Sequence, residues 1–278
     1  MGARRWLEVG PIRIQPSEFM KIVLVLALAK WFSRFNPDDE LNLKTAIVPS
    51  LIAFIPAFLI IIQPDLGTGG LLLVIFFIIC FYRRLRWSSI FKLIILGLIG
   101  SAVMYKYGLK EYQRKRIETF FNPYKDAKGS GYNAIQSEIA IGSGRMFGKG
   151  YMKSSQASLN FLPENHTDFV FSIFNEEHGL FGSILLLSLY LILFLRLVWL
   201  AKNVTRIYDA ILVIGVLSLL FAHTFINMAM VTGLIPIVGI PLPLMSYGGS
   251  SLITLGISMG LVTSISNSRN LFVGTEYD

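Results

Sequence analysis

Charge and cysteine are the two things this 278-residue chain has little of. Only 15% of its residues are charged, against about 25% in an ordinary soluble domain. Together with 54% hydrophobic residues and a mean hydropathy of +0.60, that deficit excludes intrinsic disorder and argues against a soluble enzyme. The one cysteine, Cys80, lies in an apolar run, which excludes an intrachain disulfide and a cysteine-based zinc site. The three histidines, His166, His178 and His223, show no metal-ligand spacing. Acidic residues are the scarcer sign, 17 against 25 Lys and Arg, for a net charge of +8. In so apolar a chain that excess reads as basic cytoplasmic loops and attraction to anionic lipid, with no nucleic-acid partner. Internal repeats and low-complexity stretches are missing too.

What is present is a series of apolar runs: Glu18–Trp31, Ala46–Ile62, Leu66–Tyr82, Ile90–Tyr107, Gly179–Leu200, Ala210–Gly233 and Ser250–Ser266. Seven spans of ~20 residues would use about half the chain. The expected fold is therefore all-α: a polytopic helical membrane bundle of about seven spans, forming a single domain over residues 1–278. Short loops set the orientation. Lys30, Arg34 and Lys44 follow the first run, Arg83, Arg84, Arg86 and Lys92 the third, and Arg196, Lys202 and Arg206 the fifth, while Gln63–Asp65 and Leu234–Gly249 carry no Lys or Arg. The basic loops and the C-terminus are thus expected in the cytoplasm, and one large loop, residues 108–168, outside. From Lys106 to Asp168 the chain has ten basic residues, which suggests an anionic ligand at the outer face.

Within that loop, Gly142-Ser143-Gly144-Arg145-Met146-Phe147-Gly148-Lys149-Gly150 has two readings. It is a glycine-turned surface loop, or a cradle of backbone N–H groups and cations for a diphosphate. It is not a Walker A loop, since Ser143 stands where the first Gly belongs. Asp168, at the junction with an apolar helix, reads as a helix cap, which the pattern alone favours, or as a general base at the outer membrane surface. Glu176 and Glu177 fall near the same interface, where one of them lines the cavity of Asp168 in the functional reading. Glu18 and Lys21 share a helix face, and with Asp65 they read as a structural ionic cluster. His223 and Asn227, one turn apart, read as an interhelical hydrogen bond.

Several blocks resemble one family. Gln15-Pro16-Ser17-Glu18-Phe19-Met20-Lys21, Gln63-Pro64-Asp65-Leu66-Gly67-Thr68 and Ala140-Ile141-Gly142-Ser143-Gly144 look like the SEDS proteins of bacterial wall synthesis (RodA, FtsW, SpoVE). So do Phe161-Leu162-Pro163-Glu164-Asn165-His166-Thr167-Asp168-Phe169 and Pro241-Leu242-Pro243-Leu244-Met245-Ser246-Tyr247-Gly248-Gly249-Ser250-Ser251. Gly10-Pro11-Ile12-Arg13-Ile14 and Asn122-Pro123 with Gly131-Tyr132-Asn133 lean toward the RodA branch, which serves cell elongation. The blocks are ordered and span the chain.

The resemblance implies a peptidoglycan glycosyltransferase of the bacterial cytoplasmic membrane that polymerises lipid II at the outer face and releases undecaprenyl diphosphate. Its implied partners are undecaprenyl-diphosphate-linked glycan, membrane lipids and a class B penicillin-binding protein. The family's essential outer-loop aspartate matches Asp168, and its buried charged cluster matches Glu18, Lys21 and Asp65. Lys115, Arg116, Arg145 and Lys149, with Glu176, are the candidate substrate-binding residues, and a divalent cation (Mg or Mn) is a possible helper at the diphosphate. The family typically has ten spans, and this chain starts at the fourth, so an N-terminally truncated SEDS domain is expected. A lipid II flippase and a non-catalytic scaffold are the competing readings.

Overall fold

The computed structural model describes residues 6–9, 12–63, 65–103, 106, 111–126, 131–159, 161–162 and 166–273. Two short strands, β1 (Leu7–Val9) and β2 (Ile12–Ile14), pair as an antiparallel hairpin with Glu8 opposite Arg13. They lead into α1 (Pro16–Phe32), α2 (Leu43–Ile62), α3 (Leu66–Tyr82) and α4 (Trp87–Val103). Next come α5 (Glu111–Phe121), α6 (Tyr132–Ser143) and the single turn α7 (Ser155–Ser158), then α8 (Val170–Asn203), α9 (Ile207–Val231) and α10 (Gly249–Val273). Within the described residues each of the seven apolar runs lies mostly in a helix, so the expected all-α fold is observed. Among the described residues, four helices are long and apolar enough to cross a membrane: α2, α8, α9 and Gly249–Ser268 of α10. α3 and Trp87–Gly100 are shorter apolar helices. The hairpin and the helices α5–α7 were not apparent in the apolar pattern.

The chain divides into two compact units. The first comprises Met1–Val103, Phe194–Ala222 and Gly249–Asp278. Its centre is apolar, with Leu24, Leu28, Phe32, Leu72, Ile75, Phe76 and Ile79 shut off from the surface. Gly215 of α9 admits Val25, because a Cβ there would fall 2.3 Å from Val25 Cγ1. α2 starts at a reciprocal cap: Asn42 Oδ1 accepts from Thr45 N, and Thr45 Oγ1 accepts from Asn42 N, both at 3.1 Å. The Arg83 guanidinium is buried and donates to the carbonyls of Phe35 (3.2 Å) and Asn36 (3.0 Å), tying the end of α3 to the loop after α1.

Glu18, Lys21 and Asp65, expected as an ionic cluster, lie in this unit, where Glu18 and Lys21 form an ion pair. Lys21 Nζ donates to Glu18 Oε1 at 2.7 Å, and both side chains are buried. Asp65 is the N-cap of α3, accepting from Thr68 N at 3.1 Å and Thr68 Oγ1 at 3.0 Å. Gln15 Nε2 donates to it at 3.4 Å.

The second unit comprises Met104–Leu193 and His223–Gly248. Ser137 of α6 holds it together, with its hydroxyl 2.7 Å from Ser172 Oγ and donating to Val231 O at 2.7 Å. α8 is bent at Gly179, whose φ of 64° and ψ of −162° are not helical. Glycine is the residue that takes such a backbone without strain.

Candidate active site

Asp168 lies in the turn before α8, residues 166–169, and its side chain is half-buried. The Phe169 carbonyl accepts from Ile173 N at 3.3 Å, so Phe169 occupies the helix-cap position and Asp168 stands one residue outside it. The last turns of α9 and the segment after it hold this turn. Tyr247 N donates to His166 O at 2.9 Å, Ser246 Oγ to Thr167 O at 2.5 Å, and Asn227 Nδ2 to Asp168 O at 2.8 Å. Three successive carbonyls are thus held by side chains and backbone some 60–80 residues downstream in the chain. The segment after α9 is itself fixed. Leu242 N donates to Ser246 Oγ at 2.7 Å, the Tyr190 hydroxyl donates to Pro243 O, and His223 Nδ1 lies 3.3 Å from Pro241 O. Gly239, with φ +73°, passes so close that a Cβ would lie 3.1 Å from Asp168 Oδ2. The result is a carboxylate on a rigid mount, the form a general base requires.

A second cluster forms around Glu176, which is fully buried. Its Oε1 accepts from Lys149 Nζ at 2.5 Å, Ser155 Oγ at 2.7 Å and Ser155 N at 3.1 Å. Its Oε2 accepts from Ser154 Oγ and, at 3.3 Å, from Gln156 N. The donors that a diphosphate cradle would need are committed here. Gly148 N donates to Gly144 O (2.7 Å), Lys149 N to Glu176 O (2.9 Å) and Gly150 N to Glu177 O (3.0 Å). Leu180 N and Phe181 N in turn donate to the carbonyls of Arg145 and Met146. Of the two readings of residues 142–150, the geometry is that of a turn clamped to α8. Arg145 is exposed, whereas Lys149 and Glu176 are each other's partners. The side chains of Lys115 and Arg116, on α5, lie outside the described residues, as do Pro163, Glu164 and Asn165.

Among the described residues no three His, Cys, Asp or Glu side chains gather as a metal-ion site.

Asn227 was legible only as a buried hydrogen bond. Ser246 and Tyr247 stood out only as members of the block Pro241–Ser251 that carries the resemblance, and Gly239 and Tyr190 carried no signal of their own.

Fold and site together define a multi-pass helical membrane protein that mounts one carboxylate at the mouth of a span. A family model for the FtsW/RodA/SpoVE proteins, described as "Cell cycle protein", matches residues 1–271, and the chain belongs to that family. The peptidoglycan glycosyltransferase MrdB of Escherichia coli K12 is 40% identical over 271 residues, covering 97% of this chain and 72% of that protein. Stage V sporulation protein E of Bacillus subtilis is 39% identical over 267 residues, covering 95% and 72%. Among solved structures, the rod shape determining protein RodA of Thermus thermophilus matches with a TM-score of 0.66 at 29% identity, covering 96% of this chain and 70% of that one. A chain from a peptidoglycan synthase complex described as coordinating polymerization and crosslinking matches with a TM-score of 0.78 at 33% identity, covering 97% and 74%.

Proposed function

We propose that this chain is a peptidoglycan glycosyltransferase that polymerises lipid II at the outer face of the bacterial cytoplasmic membrane, with Asp168 as general base. The observation that carries the reading is the mount of Asp168: a half-buried carboxylate whose turn is held at three consecutive carbonyls. In the reaction, the 4-hydroxyl oxygen of one lipid-linked disaccharide attacks the anomeric carbon that bears the diphosphate of the growing glycan. The bond from that carbon to the diphosphate oxygen breaks, and undecaprenyl diphosphate leaves with the electron pair. Asp168 takes the hydroxyl proton. A positioned base is worth roughly 10²–10⁴ in rate.

Cations would meet the leaving diphosphate. Arg145, exposed on its turn, is the first candidate, with Lys115 and Arg116. The Lys149–Glu176 pair is assigned to holding the loop. A divalent cation, Mg or Mn, enters this scheme as a companion of the substrate diphosphate. A class B penicillin-binding protein is the partner that the family resemblance supports. The large loop faces outward and the C-terminus lies in the cytoplasm.

Purified protein with such a partner and labelled lipid II tests the reading. Asn matches Asp in size and shape but cannot take the proton. Asp168→Asn should therefore lower polymerisation by ~100-fold or more with folding intact. Near-normal polymer from the variant rejects the base. Movement of lipid II between leaflets without polymer would make the chain a flippase, and neither activity would leave a scaffold.

A further inference from the structure

The geometry points to Asn227 as the positioning residue of the site: its amide fixes the backbone of Asp168 to the segment that the Asp168 carboxylate meets. The inference rests on the glycosyl-transfer reading above. Asn227 is fully buried in α9. Its Nδ2 donates to Asp168 O at 2.8 Å and to Ile240 O at 2.7 Å. Both neighbours are carbonyl acceptors, so the NH₂ end of the amide must face them, and each of its two hydrogens has one target. Ile240 follows Gly239, the residue whose Cα side approaches Asp168 Oδ2, with a Cβ position 3.1 Å away. One amide therefore links the backbone of the aspartate to the loop that meets its carboxylate.

Few side chains can do this. Aspartate would set carboxylate oxygens against two carbonyls, serine is too short to bridge them, and leucine has no donor. Ser246 and Tyr247 hold the neighbouring carbonyls of Thr167 and His166. Asn227 alone among these three joins Asp168 itself to the Gly239–Ile240 step. A base displaced by about 1 Å from its proton can lose ~10²-fold in rate without any loss of substrate binding.

The test is a kinetic double-mutant cycle on the purified protein with a class B penicillin-binding protein, with lipid II polymerisation measured per folded molecule. Asn227→Ala should lower kcat by about 10- to 100-fold and leave KM nearly unchanged. In the Asp168→Asn background the same change should cost nothing more, because there is no base left to position. Equal losses in both backgrounds mean a general structural defect and overturn the inference. Where Asn227→Ala lowers folded yield, Asn227→Gln keeps both amide hydrogens but moves them by one methylene. Positioning predicts a kcat loss for Asn227→Gln, and wild-type kcat overturns it. Absence of polymer from the wild-type protein itself would instead remove the glycosyl-transfer reading on which the inference stands.

Discussion

Lys21 shows how much rests on single side chains in an apolar bundle. An ammonium buried among helices is tolerable only with a counter-charge, and Glu18 supplies it at 2.7 Å. Removing one partner strands the other, which costs ~3–5 kcal/mol, whereas replacing both with apolar groups of similar size is often neutral. Lys21→Ala should therefore lower the melting temperature by on the order of 10 °C. The double variant Glu18→Leu/Lys21→Met should melt near the wild type and still polymerise. A double variant that is stable but inactive would give the pair a direct part in the chemistry. Glu18 and Lys21 were legible in the sequence because their three-residue spacing is local. Asp168 was legible as a candidate but its mount was not, because the groups holding it, Asn227, Ser246 and Tyr247, come from far downstream. A buried Asn in a hydrophobic span looks the same in sequence whether it braces two helices or a catalytic turn.

At the scale of elements, the turn between α6 and α7 is locked by close backbone crossings. A Cβ at Gly148 (φ +76°) would fall 2.0 Å from Glu177 O, and one at Gly179 (φ +64°) would fall 2.4 Å from Gly148 N. Both obstacles are backbone, so neither can swing aside. Gly148→Ala combines positive-φ strain, about 1–3 kcal/mol, with overpacking of similar size. It should melt well below the wild type and open residues 144–153 to limited proteolysis. Gly142→Ala is the matched control, since nothing lies within 4 Å of its Cβ position and alanine is the better helix former by ~1 kcal/mol. Equal stability of the two variants would contradict the clamp. The glycine spacing marked this stretch as a turn, but nothing in it named Glu176 and Glu177 as the groups that use its N–H donors. The long spans were legible because lipid-facing helices are apolar without interruption. α5–α7 were not, because short loop helices mix polar and apolar residues without such a run.

For the whole molecule, function depends on which side of the membrane the loop with Asp168 faces. Among the described residues, Lys30 and Lys202 are exposed in the last turns of α1 and α8 and Arg84 is exposed in the loop after α3, the ends that the positive-inside rule assigns to the cytoplasm. The proposed topology follows from that rule: the loop between α4 and α8 outside, where lipid II is used in the proposed reaction. Cysteine chemistry reads this directly, because the native thiol, Cys80, is buried. In a Cys80→Ser background, Tyr151→Cys places a thiol at a position that is 75% exposed. Thr205→Cys places one at an exposed position in the loop between α8 and α9. A membrane-impermeant thiol reagent added to intact spheroplasts should label the first, and the second only after permeabilisation. Permeabilised cells control for reactivity, since both thiols should label there. The reverse pattern would put Asp168 on the cytoplasmic side, away from the proposed site of polymerisation, and would remove the general-base mechanism along with the topology.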